Sequence, residues 1–311
     1  MPCVFVYEHV TAVGLGRAPG SPEHSLYVEG RAMRSAVSAD FAAVPGVELV
    51  TFPDDVRAEL HADTFARLAA SADWTLVIAP ETNCVMEELV ARVFAAGGKL
   101  LGPITIAVAL AGDKAAVDVL WKSDGVPTPK SFSTLQEVTF PAVVKPRDGC
   151  GSEGVMLIRS ADELYAVPAD PKLMAHEFVP GQPASVAFLV GPKQTIPLLP
   201  TYQHLSSDGR FRYRGGSLPI PQELAERAVG LGRRAIASVP GLFGYVGVDL
   251  VLGERDVAIE INPRLTTSYV GLRAAAETNL AGAMLDVCEG REVELQWKPG
   301  TITFGADGTL R

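Results

Sequence analysis

Residues 247–264 read GVDLVLGERDVAIEINPR. Two apolar, β-rich runs flank GERD, and a four-residue link between such runs is an ordinary hairpin connection. Alternate side chains of a strand share a face. Val248, Leu250 and Leu252 therefore lie together, with Asp249 opposite them. In the second run Val257, Ile259 and Ile261 share one face, and Ala258, Glu260 and Asn262 share the other. Pairing Leu252 with Val257 sets Asp249 directly across from Glu260, with Cβ atoms roughly 4.5–5.5 Å apart. Facing like charges are unfavourable unless something neutralises them, and a divalent cation does so. Asp249, Glu260 and Asn262 offer hard oxygens suited to Mg²⁺, whose octahedron substrate phosphates are expected to complete. The same acids would also suit a solvated sheet face. Two details favour the metal: Arg264 follows directly in Asn-Pro-Arg, and the tight apolar alternation fixes the face that Glu260 and Asn262 occupy.

A hundred residues upstream, residues 140–158 read FPAVVKPRDGCGSEGVMLI. Residues 142–144 are strand-like, and Pro146 biases Lys145 to extended geometry. A lysine ending a buried strand needs its ammonium paired or near solvent. The glycines that follow let backbone N–H groups approach a phosphate closely, and Ser152 adds a hydroxyl. The loop is followed by a strand and lacks Gly-Lys-Ser/Thr, so it is neither a Walker A loop nor a dinucleotide fingerprint. Taken alone it reads as a flexible turn; the lysine and the downstream hairpin give it weight. Residues 174–181, MAHEFVPG, read as a strand entering a Pro-Gly turn, able to offer backbone groups to an adenine edge.

The chain has 311 residues, 48% of them hydrophobic and 20% charged, which suits about two packed domains and excludes a disordered chain. A net charge of −9 argues against nucleic acid as a partner. The most apolar stretch, residues 100–111, is far short of the ~20 residues of a spanning helix, so no membrane role is expected. Neither a signal peptide nor a metal-type cysteine spacing is visible, and a cytoplasmic location is expected. The scattered histidines and cysteines speak against zinc and Ser-His-Asp chemistry.

Within the first hundred residues strand-like runs at 4–7, 48–52, 75–79 and 99–101 alternate with helical patterns at 31–44, 56–70 and 85–96. Met33, Val37, Phe41 and Val44 form one stripe. Such alternation predicts a small parallel sheet covered by helices. A boundary is expected near Gly102-Pro103, then a helix over 113–122. From residue 141 the texture is that of α+β units on antiparallel sheet, with late helices over 223–238 and 272–288.

Together these pieces resemble the ATP-grasp superfamily of carboxylate–amine ligases, over roughly residues 113–290. The order is Asp113-Lys114, Val144-Lys145-Pro146, the glycine loop, Glu177-Phe178-Val179-Pro180-Gly181, Asp249, and Glu260-Ile-Asn262-Pro-Arg264. The fold class implied is α/β and α+β: an ATP-grasp fold with an N-terminal parallel-sheet domain (1–103), a central subdomain (104–180) and a C-terminal antiparallel-sheet domain (181–311). The resemblance implies that Lys114 and Lys145 contact ATP phosphates and that Gly149, Gly151, Ser152 and Gly154 form a lid. It implies that the hinge of Glu177, Phe178 and Val179 reads adenine through the backbone of Glu177 and Val179. Asp249, Glu260 and Asn262 would hold one or two Mg²⁺ ions, for which Mn²⁺ could substitute. Arg264 would bind the transferring phosphate or the substrate carboxylate. Where the family often carries a ribose-binding glutamate after the hinge, this chain has Gln182.

Further stretches resemble the branch containing the tyramine–glutamate ligases of methanofuran biosynthesis. They are Tyr7-Glu8-His9, LYVEGRAM at 26–33, IAPET at 78–82, Tyr213-Arg-Gly-Gly216 and NPRLTTS at 262–268. The expectation is ATP-dependent joining of a carboxylate, glutamate by resemblance, to a tyramine-like amine through an acyl phosphate, with ADP and phosphate released. Arg264 and Lys145 would be catalytic. Acceptor-side candidates are Glu8, Arg214, Gly216 and Ser268, with Glu29, Arg212, Tyr202, His204 and Gly271 behind them; ordinary surface roles suit most of these equally. A homodimer is compatible with this reading. A non-catalytic ATP-binding scaffold or sensor, and a kinase that stops at the phosphorylated acid, are the alternatives.

Overall fold

The structure, a computed structural model, describes residues 1–311. The chain opens with β1 (Cys3–Glu8), α1 (His9–Ala12), α2 (His24–Ala42), β2 (Glu48–Thr51), α3 (His61–Ser71), β3 (Trp74–Ile78) and α4 (Val85–Ala95). Next come α5 (Thr105–Gly112), α6 (Lys114–Ser123), β4 (Ser131–Phe132), β5 (Ala142–Pro146), β6 (Met156–Ile158), α7 (Ala161–Tyr165) and β7 (Leu173–Glu177). Then follow β8 (Gln182–Val190), β9 (Thr195–Pro197), β10 (Thr201–Leu205), β11 (Tyr213–Leu218) and α8 (Gln222–Ala237). The chain closes with β12 (Gly244–Leu252), β13 (Val257–Asn262), α9 (Ser268–Ala275), α10 (Leu280–Cys288) and β14 (Ile302–Gly305).

Three sheets result. The first is parallel, in the order β2-β1-β3, and β1 is apolar on both faces because helices cover both. Val4 and Val6 pack with Met33, Val37 and Phe41 of α2, while Phe5 and Tyr7 pack with Phe65, Leu89 and Val93 of α3 and α4. The second sheet, β4-β7-β5-β6, is antiparallel over a small core of Ala142, Val144, Ile158 and Ala175. The third runs β13-β12-β8-β10-β11-β14, with β9 beside β8, and is antiparallel throughout. Helix α8 lies close on its face because Gly232 has no side chain; a Cβ there would stand 2.5 Å from Val186.

The core under α2 is continuous with that of the third sheet. Val4, Val6 and Met33 belong to the same buried cluster as Leu218, Tyr269 and Met284. A polar node ties the two parts. Asp40 of α2 is 8% exposed and accepts from Tyr269 Oη at 2.7 Å and from Arg273 Nε at 2.9 Å, both on α9. Its backbone carbonyl accepts from Asn279 Nδ2 at 2.8 Å.

Several sequence expectations need correction. The helix expected over 272–288 is two helices: Ala276 turns extended, and the Asn279 side chain caps α10 by accepting from Gly282 N at 3.0 Å. The helix expected over 56–70 starts with a 3₁₀ turn at Ala58–Leu60 before α3. Helix α2 begins earlier than expected and ends at Ala42, so Val44 lies beyond its stripe. Helix α5 arises from the apolar stretch for which no helix was expected. It is apolar almost all round, so no 3.6-residue period marks it.

Asp40→Ala removes the acceptor of a buried hydroxyl and of a guanidinium about a third exposed. A loss of about 2–4 kcal/mol is expected, read from the urea midpoint at unchanged slope. An unshifted midpoint would show that the node contributes nothing.

Candidate functional site

A cavity of about 460 Å³ opens between the second and third sheets under the glycine loop. Its floor is the hairpin of β12 and β13. Asp249 pairs with Glu260 and Gly247 with Asn262, as the alternation predicts. Nearer the turn the register slips: Val251, not Leu252, stands opposite Val257, and Leu250 opposite Ala258. Ile259 is the extra residue of a β-bulge, a device common beside active sites. The bulge sends Ala258 into the core with Val248 and Leu250 and turns Ile259 to the cavity wall, reversing the faces expected for these two. The facing acids sit on the regular side of the slip and keep their pairing.

The charges are arranged around that pair. Asp249 accepts from Gln203 Nε2 at 2.9 Å and from Asn262 Nδ2 at 3.2 Å. Glu260 lies 3.5 Å from Lys114 Nζ, which also donates to the Gly149 carbonyl at 2.8 Å. Lys145, at the end of β5, is 6% exposed. Burial brings its pKa down to about 8, against the pull of Glu260 and with the push of Lys114. Burial, then the charge of Glu260, drives the Asp249 carboxyl well above its usual range. Burial opposes ionisation of Glu260 too, but Lys114 and Lys145 outweigh it and hold that acid below its usual range. Lys114 owes its place to Asp113, which caps α6 by accepting from Ala115 N at 3.0 Å and pairs with Arg147 at 2.6 Å.

The loop after Lys145 is fastened on both banks. Asp148 accepts from Asn83 N at 3.0 Å, and Ser152 Oγ donates to the Phe211 carbonyl at 2.7 Å. Gly151 has φ +65° and faces Leu26 so closely that a Cβ would stand 2.8 Å from Cδ2. Gly149, Gly151 and Ser152 line the cavity, whereas Gly154 packs on Pro146 outside it.

Glu177, Phe178 and Val179 form the far wall, where the Phe178 and Phe211 rings stack at 6.3 Å. The Glu177 N–H is already bonded to the Lys130 carbonyl and that of Phe178 to Pro141, so Val179 supplies the free hinge donor. Gln182 lies outside the cavity, its amide donating to the Pro183 carbonyl at 3.3 Å. Strand alternation explains this: Pro183 and Ser185 of β8 face inward, and Gln182 takes the opposite face.

Arg264 enters at the other end. Its Nε stands 2.9 Å from Glu81 Oε1 and its Nη2 donates to Glu81 Oε2 at 3.2 Å. Ser268 lines the cavity within a hydroxyl chain, 2.7 Å from Thr266 Oγ1 and 3.1 Å from Tyr245 Oη.

The remaining acceptor-side candidates fall elsewhere. Glu8 is 2% exposed and caps α1, accepting from Val10 N and Thr11 N at 3.0 and 2.8 Å. Arg214 points to solvent from β11, and Arg212 pairs with Asp208 at 3.4 Å. At Gly216 a Cβ would stand 2.5 Å from the Tyr202 carbonyl, and at Gly271 2.3 Å from Phe304, so both serve packing. On β10 it is Gln203 and Leu205, not Tyr202 and His204, that line the cavity.

Gln203, Glu81, His176 and Thr267 are site residues that the sequence analysis gave no role. Two-residue alternation along 201–205 was the available signal for Gln203. Buried His176 Nε2 has no partner in the protein, and burial then Lys145 keep that imidazole neutral.

The donor set fits magnesium. Two facing carboxylates and an amide supply hard oxygens, and no group of three His, Cys, Asp or Glu cages a metal. The remaining coordination positions are left to phosphate and water, as Mg²⁺ prefers. The cavity has the size of a small-molecule site, with cations at one end and free backbone groups at the other.

The pattern is matched by known proteins. Residues 111–268 match an ATP-grasp domain and residues 34–108 a pre ATP-grasp 3 domain. The tyramine–L-glutamate ligase of Methanocaldococcus fervens is 29% identical over 254 residues, 82% of this chain and 79% of that protein. The same enzyme of Methanocaldococcus jannaschii is 31% identical over 236 residues, 76% of this chain and 68% of its own. A crystal structure of an ATP-grasp superfamily protein from Archaeoglobus fulgidus superposes with a TM-score of 0.75 at 27% identity, covering 97% of this chain and 92% of that one. With the expected fold so matched over nearly the whole chain, and with ligases as its two curated relatives above, the protein belongs to the ATP-grasp superfamily.

Proposed function

We propose that this protein joins a small-molecule carboxylate to an amine at the expense of ATP, with glutamate and a tyramine-like amine as the substrates suggested by its relatives. The observation that carries the reading is the register-opposed Asp249 and Glu260 beneath Lys114 and Lys145, in a cavity that ends at Arg264.

The residues divide the work as follows. The free N–H of Val179 and the neighbouring carbonyls orient the adenine. Lys114, Lys145 and the amides of Gly149 and Gly151 receive the phosphates. Asp249, Glu260 and Asn262 would hold magnesium, which when bound offsets phosphate charge. An oxygen of the carboxylate attacks the γ-phosphorus, and the bond to ADP breaks. The amine nitrogen then attacks the acyl carbon, the carbon–oxygen bond to phosphate breaks, and the surplus nitrogen protons are released. Catalysis of this kind is positioning and charge compensation, which fixed lysines and a guanidinium fork supply. The glycine loop over the cavity keeps water from the acyl phosphate. We infer units that meet near residues 103 and 180, with phosphates held by the last two.

Phosphate release screened over amino acids crossed with amines should require both partners, and should be fastest with glutamate and an aromatic amine. Release that ignores the amine would contradict ligation. Arg264→Ala should keep nucleotide affinity within about threefold while turnover falls about a hundredfold or more; Arg264→Lys tests the same point with the charge of the Glu81 pair kept. Gln203→Ala loosens Asp249 and should raise the Mg²⁺ needed for half-maximal release by about 10–100-fold. A metal titration identical to wild type would show that Gln203 does not position a metal ligand.

A further inference from the structure

Glu29 is the one residue of the first hundred that lines the cavity. It stands on α2 four and eight residues before Met33 and Val37, which are buried on the same helix face. A carboxylate at the head of an otherwise apolar stripe is costly unless it meets a partner. Its one hydrogen bond within the protein comes from Thr267 Oγ1, at 3.0 Å from Oε2; Oε1 accepts none. It also forms no ion pair. Arg264, whose charge reaches it, is engaged by Glu81 at 2.9 Å. Of the other acids that line the cavity, Glu153 is exposed to solvent and the rest are answered: Glu260 by Lys114, Glu177 by Arg255, Asp148 by the Asn83 N–H and Asp249 by two amides. Burial pushes the Glu29 carboxyl up to about 7, against the Thr267 hydrogen bond and the Arg264 charge, the mark of an acid short of a cation.

We propose that Glu29 receives the ammonium group of a substrate. The inference rests on the ligase reading and adds the contact that selects a cationic nitrogen. A carboxylate at Arg264 and an ammonium at Glu29 would meet opposite charges at the same end of the cavity. Two sources carry this chemistry: the amino group of an amino-acid donor, and the attacking amine. Thr267 holds Oε2 in place, so Oε1 is the oxygen presented to the ligand.

The full-length protein with Glu29→Gln, an isosteric change that removes the charge, distinguishes them. Two assays with ATP are compared with wild type: glutamate with tyramine, read as amide, and glutamate with hydroxylamine, read as hydroxamate. Hydroxylamine is neutral at pH 7.5 and needs no ammonium site. A tyramine KM raised about tenfold or more, with hydroxamate formation within about threefold, assigns Glu29 to the attacking amine. A glutamate KM raised in both assays, with unchanged affinity for a nonhydrolysable ATP analogue, assigns it to the donor. Unchanged KM values in both, or a fall in kcat alone, overturn the proposal. Lost nucleotide affinity also overturns it, since Glu29 would then serve the fold. A wild type inactive in both assays fails before the variant is compared, and defeats the ligase reading itself.

Discussion

Two like charges held face to face inside a protein set the terms for everything around them. Asp249 and Glu260 cannot drift apart, because the strands that carry them are fixed by apolar faces packed beneath α8. Nor can both rest comfortably ionised, because burial and mutual repulsion act together. The rest of the cavity answers this strain. Lysines approach from α6 and from the end of β5, and amides from β10 and β13. The floor thus brings acids, ammonium groups and amides together at close range.

Each supporting group is in turn held by something remote from the chemistry. Lys114 depends on the capping of α6 by Asp113, and Asp113 is tied to Arg147 at the root of the glycine loop. Arg264 is kept in place by Glu81, which arrives from the loop after β3. The first hundred residues thus contribute little to the cavity wall and much to the posture of the residues that form it.

How much of this could be read in the residues depends on whether the signal is local. The facing acids could be read because tight apolar alternation specifies which way each side chain points. The bulge at Ile259 could not, since nothing in VAIEIN marks which residue is extra. The parallel sheet followed from strand–helix alternation, whereas α5 escaped notice because a helix apolar on nearly every side loses its period. The break between α9 and α10 had a cue in Asn279, but its weight comes from Asp40, far away in sequence. Glu8 and Glu29 illustrate the limit most plainly. As letters they are equivalent acids; only folding makes one a helix cap and leaves the other facing the cavity. Lys114 and Lys145 were legible through their motif, and Glu81 was not, because its partner lies 183 positions away.

The shared core under α2 has a consequence for the history and engineering of the chain. Val4, Val6 and Met33 complete an interior whose other half is Leu218, Tyr269 and Met284. The amino-terminal portion is therefore not an interchangeable cassette. Exchanging it for that of a cousin enzyme would bring in a foreign α2 whose side chains were never fitted to α9 and α10. Chimeras that trade substrate preference by swapping whole modules would fail on packing before they were tested on selectivity, whereas grafting single side chains from α2 leaves the interior intact.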